Sequence, residues 1–241
     1  MDETQLAELK AQLLAGALCD LEPLEKEIFA LRYDLYLPDV LRPLQKLYGE
    51  REDWSNWVAT FLRIVAEGYR ERPVALRLLD LRRQAEPDWF QQANMIGYVA
   101  YADRFAGNLN RIKDKISYLK ELGVNYFHLM PLLKPRPRPN DGGYAVMDYR
   151  AVDPELGTMD ELAGLAGHLR AEGISLCIDL VCNHTAKEHR WARKAMEGEE
   201  RYQDYYLMYP DRTEPDRYEQ TLPEIFPEFK PGNFTYYEEI E

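Results

Sequence analysis

Apolar residues follow two rhythms along this chain, and a third stretch has none. From residue 1 to about 89 they recur at helical spacing, and Pro23, Pro38, Gly49, Pro73 and Pro87 divide the run into helices. Trp57, Phe61, Val65 and Tyr69 repeat every four residues there, a stripe on one helix that Asp53 is placed to cap. From residue 95 the pattern changes. Residues 95–101 form a short apolar run before Asp103, which predicts a buried strand. Leu109, Ile112, Ile116, Leu119 and Leu122 then predict a helix over 108–122 that stops at Gly123. Residues 124–130 read as a second strand ended by Pro131, and a long loop rich in Pro, Arg and Lys follows. Thr158 and Glu161 make a capping box for the next helix, with Leu162, Leu165 and Leu169 inward and Gly173 at its end. Residues 174–181 predict a third strand.

Strand, helix, strand, helix, strand, with near-continuous apolar strands, predicts a parallel sheet with helical crossovers. The alternation is lost over 185–241, which holds 14 acids, 8 bases and five prolines and is rich in Tyr and Phe. That composition predicts an irregular inserted lobe. A closed (β/α)8 barrel takes about 250 residues, and a doubly wound sheet also needs more than three strands. The 95 residues from 90 to 184 therefore read as the front of a longer chain.

Charge narrows the function. A net charge of −12 without a basic stripe argues against nucleic-acid binding. No apolar run approaches the ~20 residues that span a bilayer. The start, Met1-Asp2-Glu3-Thr4, is acidic where a secretion signal is basic. Cys19, Cys177 and Cys182 have neither disulfide nor zinc spacing. A cytoplasmic protein is the expectation.

In parallel α/β architectures chemistry sits at the carboxyl ends of strands. After strand two comes Asp141-Gly142-Gly143-Tyr144. The glycines allow close backbone approach, Asp141 can accept two hydroxyls, and Tyr144 offers a flat face with a polar tip. An acid beside an aromatic suits a sugar ring; a tight turn with a solvated Asp is the alternative. At the end of strand three lies Asp179-Leu180-Val181-Cys182-Asn183-His184. An Asp in an apolar strand needs a cation or several donors. His184 is placed either for binding and proton handling or as a satisfied core histidine. Asp179, Asn183 and His184 are too few and too mixed to specify a metal. His128 reads as a core or barrel-lining residue, and His168 and His189 as surface groups. No P-loop, Rossmann fingerprint or nucleophile elbow is present.

These residues resemble the α-amylase superfamily. Asp179 to His184 is similar to its Asp-x-Val-x-Asn-His region, and Asp141-Gly142-Gly143-Tyr144 to its Gly-Tyr loop. Within the superfamily the resemblance is to the amylosucrase group. It is carried by the helical front, His128-Leu129-Met130-Pro131, Asp141 through Val146, and Ile225-Phe226-Pro227. It implies an α-helical N-terminal domain (1–89), the first βαβαβ units of a (β/α)8 TIM barrel (90–184), and an irregular α+β inserted lobe (185–241). It also implies retaining sucrose chemistry: an Asp attacks the glucosyl carbon, a Glu protonates departing fructose, and glucose passes to the 4-hydroxyl of an α-glucan. By the family pattern those two carboxylates follow strands four and five, beyond residue 241, so the 241-residue chain is expected to be inactive by itself.

The resemblance assigns Asp141 to the glucose hydroxyls, paired with an Arg from later in the sequence. Tyr144 becomes the platform under the ring, and His184 a hydrogen-bond partner of the glucosyl hydroxyls. Asp179 and Asn183 become structural supports, Asp179 by orienting an Arg. Ile225 and Phe226 become acceptor-side candidates. Some relatives carry Arg where this chain has Pro223, which bears on acceptor binding. The expected partners are sucrose, an α-glucan and the remainder of the protein, with no cofactor, metal, nucleic acid or membrane. A sucrose hydrolase would share every donor residue. A carbohydrate-binding piece without catalysis is the reading from another class.

Overall fold

In the computed structural model, which describes residues 2–224 and 232–237, the first helical rhythm becomes four helices. These are α1 (Glu3–Ala15), α2 (Pro23–Tyr48), α3 (Trp54–Glu71) and α4 (Val74–Ala85). Helix α1 opens on a capping box, Asp2 accepting from the Gln5 backbone while the Gln5 side chain accepts from the Asp2 backbone. Helix α2 passes through Pro38, where the sequence predicts a break, and through Pro43. An interior proline costs about 3 kcal/mol, and burial of Phe29, Tyr33 and Leu37 along the same helix opposes that cost. The buried face of α3 is Trp54, Val58, Leu62, Ala66 and Tyr69, turned from the predicted stripe. Val65 is exposed. Trp57 and Phe61 stack on each other at the margin, centroids 5.8 Å apart. Trp54 and Tyr69 share the interior with the smaller Val58, Leu62 and Ala66, while Trp57 and Phe61 cover its edge. Asp53 precedes α3, but its carboxylate is held by Arg51 at 2.8 and 3.1 Å and does not cap.

The chain divides into two compact units, Met1–Trp89 and Phe90–Glu241. The second begins with β1 (Gly97–Ala100), followed by α5 (Ala102–Ala106) and α6 (Leu109–Ile112). A 3-10 turn (Lys113–Lys115) separates α6 from α7 (Ile116–Glu121). The single helix predicted over 108–122 is thus broken. Leu109, Ile112 and Leu119 remain buried, and Leu122 is exposed. After β2 (Tyr126–Leu129) the predicted loop is instead a hairpin, β3 (Leu133–Pro135) and β4 (Val146–Val152). Helix α8 (Met159–Ala171) starts at the predicted Thr158 box and buries Leu162, Leu165 and Leu169. It leads to β5 (Ser175–Ile178).

Strands β1, β2 and β5 form a parallel sheet in that order, with Ala100, Leu129 and Ile178 level at the carboxyl end. Tyr98, Ala100, Phe127, Leu129 and Leu176 pack against the apolar side chains of α6, α7 and α8. The pleat turns Val99, His128 and Cys177 to the opposite face, where Val99 is 58% exposed. The third strand stops at Ile178, three residues short of the prediction, so Asp179 lies just past the ladder and Leu180 is exposed. Beyond it come the short helices α9 (Arg190–Met196), α10 (Glu200–Gln203) and α11 (Thr213–Glu219). The predicted α+β lobe therefore contains helices and no strand among the described residues.

Candidate active site

The carboxyl ends of the three parallel strands gather most of the predicted polar residues. Tyr101 follows β1, Pro131 lies just past β2, and Asp179 follows β5. The turn at Asp141 is laid against two of these ends. Gly142 and Gly143 have φ of +81° and +96°, conformations that L side chains rarely adopt. A Cβ at Gly142 would stand 2.9 Å from the Tyr101 hydroxyl, and one at Gly143 3.0 Å from Pro131 Cβ. The two glycines thus let the backbone approach the strand ends. Asn140 Oδ1 accepts from the Gly142 N–H at 3.1 Å, and Asp141 Oδ1 accepts from the Ala145 N–H at 2.9 Å.

This turn brings Tyr144 among carboxylates. Its ring is half-buried, and burial, reinforced chiefly by the charge of Asp179 and more weakly by Asp141, pushes its phenol above the usual value. Tyr144 therefore stays neutral at ordinary pH and can donate a hydrogen bond. Asp179 is engaged by His128, whose Nε2 lies 2.9 Å from Oδ1. Asp179 Oδ2 is buried and lacks a hydrogen-bond partner among the described residues, so it retains capacity for a further donor. The predicted need of Asp179 for a partner is met in part by a histidine on the neighbouring strand, 51 residues earlier.

His184 is exposed and sits in the loop after β5. Its backbone is anchored: the Tyr149 hydroxyl is shared between the carbonyls of Val181 at 2.6 Å and His184 at 3.0 Å. No hydrogen bond or ion pair joins its imidazole to Asp141, Tyr144 or Asp179 among the described residues. Asn183 is exposed beside it. Ile225 and Phe226 lie outside the described residues. His189 differs from the surface group predicted. It caps α9, accepting from the Trp191 N–H at 3.2 Å, and its ring stands edge-on to Tyr149 and to Trp191. Burial lowers its pKa, opposed by Asp148. His168 is exposed, as predicted. Among the described residues, no cluster of three or more His, Cys, Asp or Glu is placed to hold a metal.

Sequence reasoning missed three members of this neighbourhood: Tyr101, Tyr149 and His128 as the partner of Asp179. Alternation within β2 sets His128 opposite the buried Phe127 and Leu129, which was a usable signal. The strand register that brings it to Asp179 is not written in either motif. The assembled groups offer the carboxylates of Asp141 and Asp179, the phenol and flat ring of Tyr144, and the imidazole of His128 against Asp179. Such a set suits a polyhydroxylated ring.

Comparison with known proteins decides the family. The sequence profile of the alpha-amylase catalytic domain matches residues 84–238. The chain belongs to the alpha-amylase family. As a member it carries part of a catalytic domain of the (β/α)8-barrel type. It is 33% identical to the salivary alpha-glucosidase of Anopheles gambiae over 157 residues, 62% of this chain and 26% of that protein. It is 38% identical to the oligo-1,6-glucosidase of Parageobacillus thermoglucosidasius over 120 residues, 48% and 21% of the two chains. A solved trehalose-6-phosphate hydrolase from Bacillus licheniformis matches at 33% identity, covering 51% of this chain and 23% of its own, with a TM-score of 0.45. The alignments with the two curated relatives span about a quarter of their length. Among the described residues, no helix is long and apolar enough to cross a membrane.

Proposed function

We propose that this chain supplies the donor-glucose half of the active site in a retaining, sucrose-acting glucosyltransferase of the amylosucrase kind. The observation that supports it is the Gly142-Gly143 turn, which seats Tyr144 near Asp179 and Asp141 at the mouth of a parallel sheet. In this reading Asp141 accepts from glucosyl hydroxyls, Tyr144 underlies the ring, and His184 hydrogen-bonds the sugar. Asp179 orients an Arg beside the nucleophile, and Asn183 supports the loop. An Asp and a Glu from further strands, about 5–5.5 Å apart as in retaining enzymes, complete the chemistry. The Asp forms a bond to the anomeric carbon as the bond to fructose breaks, and the Glu gives its proton to the fructosyl oxygen. A 4-hydroxyl of an α-glucan then displaces the Asp and returns a proton to the Glu. Ile225 and Phe226 are proposed for the acceptor side. Sucrose specificity rests on the motifs His128-Leu129-Met130-Pro131, Asp141 through Val146 and Ile225-Phe226-Pro227.

A second reading, an α-glucosidase or oligo-1,6-glucosidase, is favoured by the names of the curated relatives. The test is product analysis with the full-length protein that carries this chain. Fructose accompanied by α-glucan supports the transferase, and equal fructose and glucose support a sucrose hydrolase. Glucose from isomaltose, with sucrose untouched, supports the second reading.

A further inference from the structure

We propose that Tyr149 is a positioning residue for this site, its hydroxyl fixing the loop that presents His184. The inference rests on the reading of His184 as a donor-sugar residue. Tyr149 lies on β4, the strand that leaves the Asp141-Gly142-Gly143-Tyr144 turn, so it belongs to the same hairpin as Asp141 and Tyr144. Its one hydroxyl proton is shared between two carbonyls three residues apart, Val181 at 2.6 Å and His184 at 3.0 Å. Pinning both carbonyls to one point sets the curvature of the segment between them, which carries Cys182 and Asn183 and ends at His184. A second tie comes from the same strand: the Ala186 N–H donates to the Val146 carbonyl at 2.9 Å. The ring of Tyr149 packs against the edge-on His189 ring, centroids 5.7 Å apart, which holds the far end of the loop at the start of α9.

The hydroxyl is suited to this task. Burial, reinforced by Cys182 and Tyr206 nearby, pushes the phenol above its usual value, so the proton it donates is retained. One side chain thereby couples the two sequence motifs, which are far apart in the chain. Orientation within a sugar site matters because small displacements weaken bonds that form only as charge develops.

The experiment is a double-mutant cycle in the full-length protein, using fructose release from sucrose or, if sucrose is inert, release of p-nitrophenol from its α-glucoside. Tyr149→Phe should lower kcat by ~10-fold with KM changed by less than about threefold, and leave the circular dichroism spectrum unaltered. In a His184→Ala background the same substitution should have little further effect. A second variant places 3,5-difluorotyrosine at 149, whose phenol ionises nearer neutrality. Its kcat should fall at a lower pH than the parent's as pH rises, with His189, Cys182 and Tyr206 as the facing titratable groups. Full additivity of Tyr149→Phe with His184→Ala, or an unshifted pH profile, overturns the positioning role. Unchanged turnover in His184→Ala overturns the underlying reading of the site, and the inference with it. Failure of the parent to act on either substrate does the same.

Discussion

Tyr144 owes its position to the two glycines before it, which let the turn approach Tyr101 and Pro131. Adding a Cβ at Gly143 combines a left-handed backbone with a contact of 3.0 Å to the ring of Pro131. Gly143→Ala should therefore destabilise the second unit by about 1–2 kcal/mol or more and impair sugar binding together. Thermal melts paired with KM measurements check this, and a variant with wild-type values would mean the turn tolerates a side chain. At the same scale, Asp141→Ala and His184→Ala should each lower turnover of the full-length enzyme by orders of magnitude, with His168→Ala near normal. Asp141→Ala removes a charged acceptor, which contributes about 1.5–3 kcal/mol per hydrogen bond. Steady-state rates separate these variants, and a near-normal Asp141→Ala would place the sugar elsewhere.

Secondary-structure elements show why some features were legible in the sequence and others were not. The start of α8 was legible because capping is local: Thr158 accepts from the Glu161 N–H at 3.2 Å and Glu161 from the Thr158 N–H at 2.8 Å. Thr158→Ala should accordingly lower stability by about 1 kcal/mol, measurable in urea. The strand runs were legible for the same reason, since a short continuous apolar run is a property of neighbours. The β3–β4 hairpin was not, because its strands carry Pro135 and an irregular register, and its loop reads as coil. The path of α2 through Pro38 was hidden too, because tertiary burial overrides a local rule. Likewise the His128–Asp179 pair depends on parallel register, which no short window contains. Helix α2 also carries a pH effect. Burial, aided by Asp34, pushes Tyr33 up to about 12, and its hydroxyl donates to the Leu6 carbonyl at 2.9 Å. A phenol with a raised folded pKa stabilises fully below its unfolded value of 10.0 and loses that contribution as pH rises towards 12. The helical unit should lose stability across that window, and Tyr33→Phe should flatten the loss in melts taken at successive pH values.

For the molecule as a whole, the division into Met1–Trp89 and Phe90–Glu241 separates two kinds of core. The first unit buries Leu9, Leu13, Phe29, Tyr33, Val58, Leu62 and Tyr69 among its own helices. Residues 1–89 expressed by themselves should give a cooperative helical melt, and a broad, shallow transition would count against an independent core. The second unit leaves apolar groups of its sheet open to solvent, Val99 at 58% and Leu180 just past β5 at 66% exposure. Exposed strand edges and apolar faces promote association. The 241-residue polypeptide should therefore self-associate with rising concentration, and Val99→Lys should reduce this in sedimentation velocity.

The strand order β1-β2-β5 also sets a timetable for synthesis. Gly97 pairs with Tyr126, and Tyr126 pairs with Ser175. The central strand thus waits on the ribosome for its second neighbour. At ~5–20 residues per second, the roughly 50 residues between those partners take ~2–10 s to emerge. Throughout that interval the helical unit is already outside the exit tunnel and free to fold, while β2 has one open edge. Slowing translation after β2 has left the tunnel and before β5 follows it would lengthen that exposure. The nascent sheet would then be a binding target for chaperones that recognise apolar strands, and the helices before it would not.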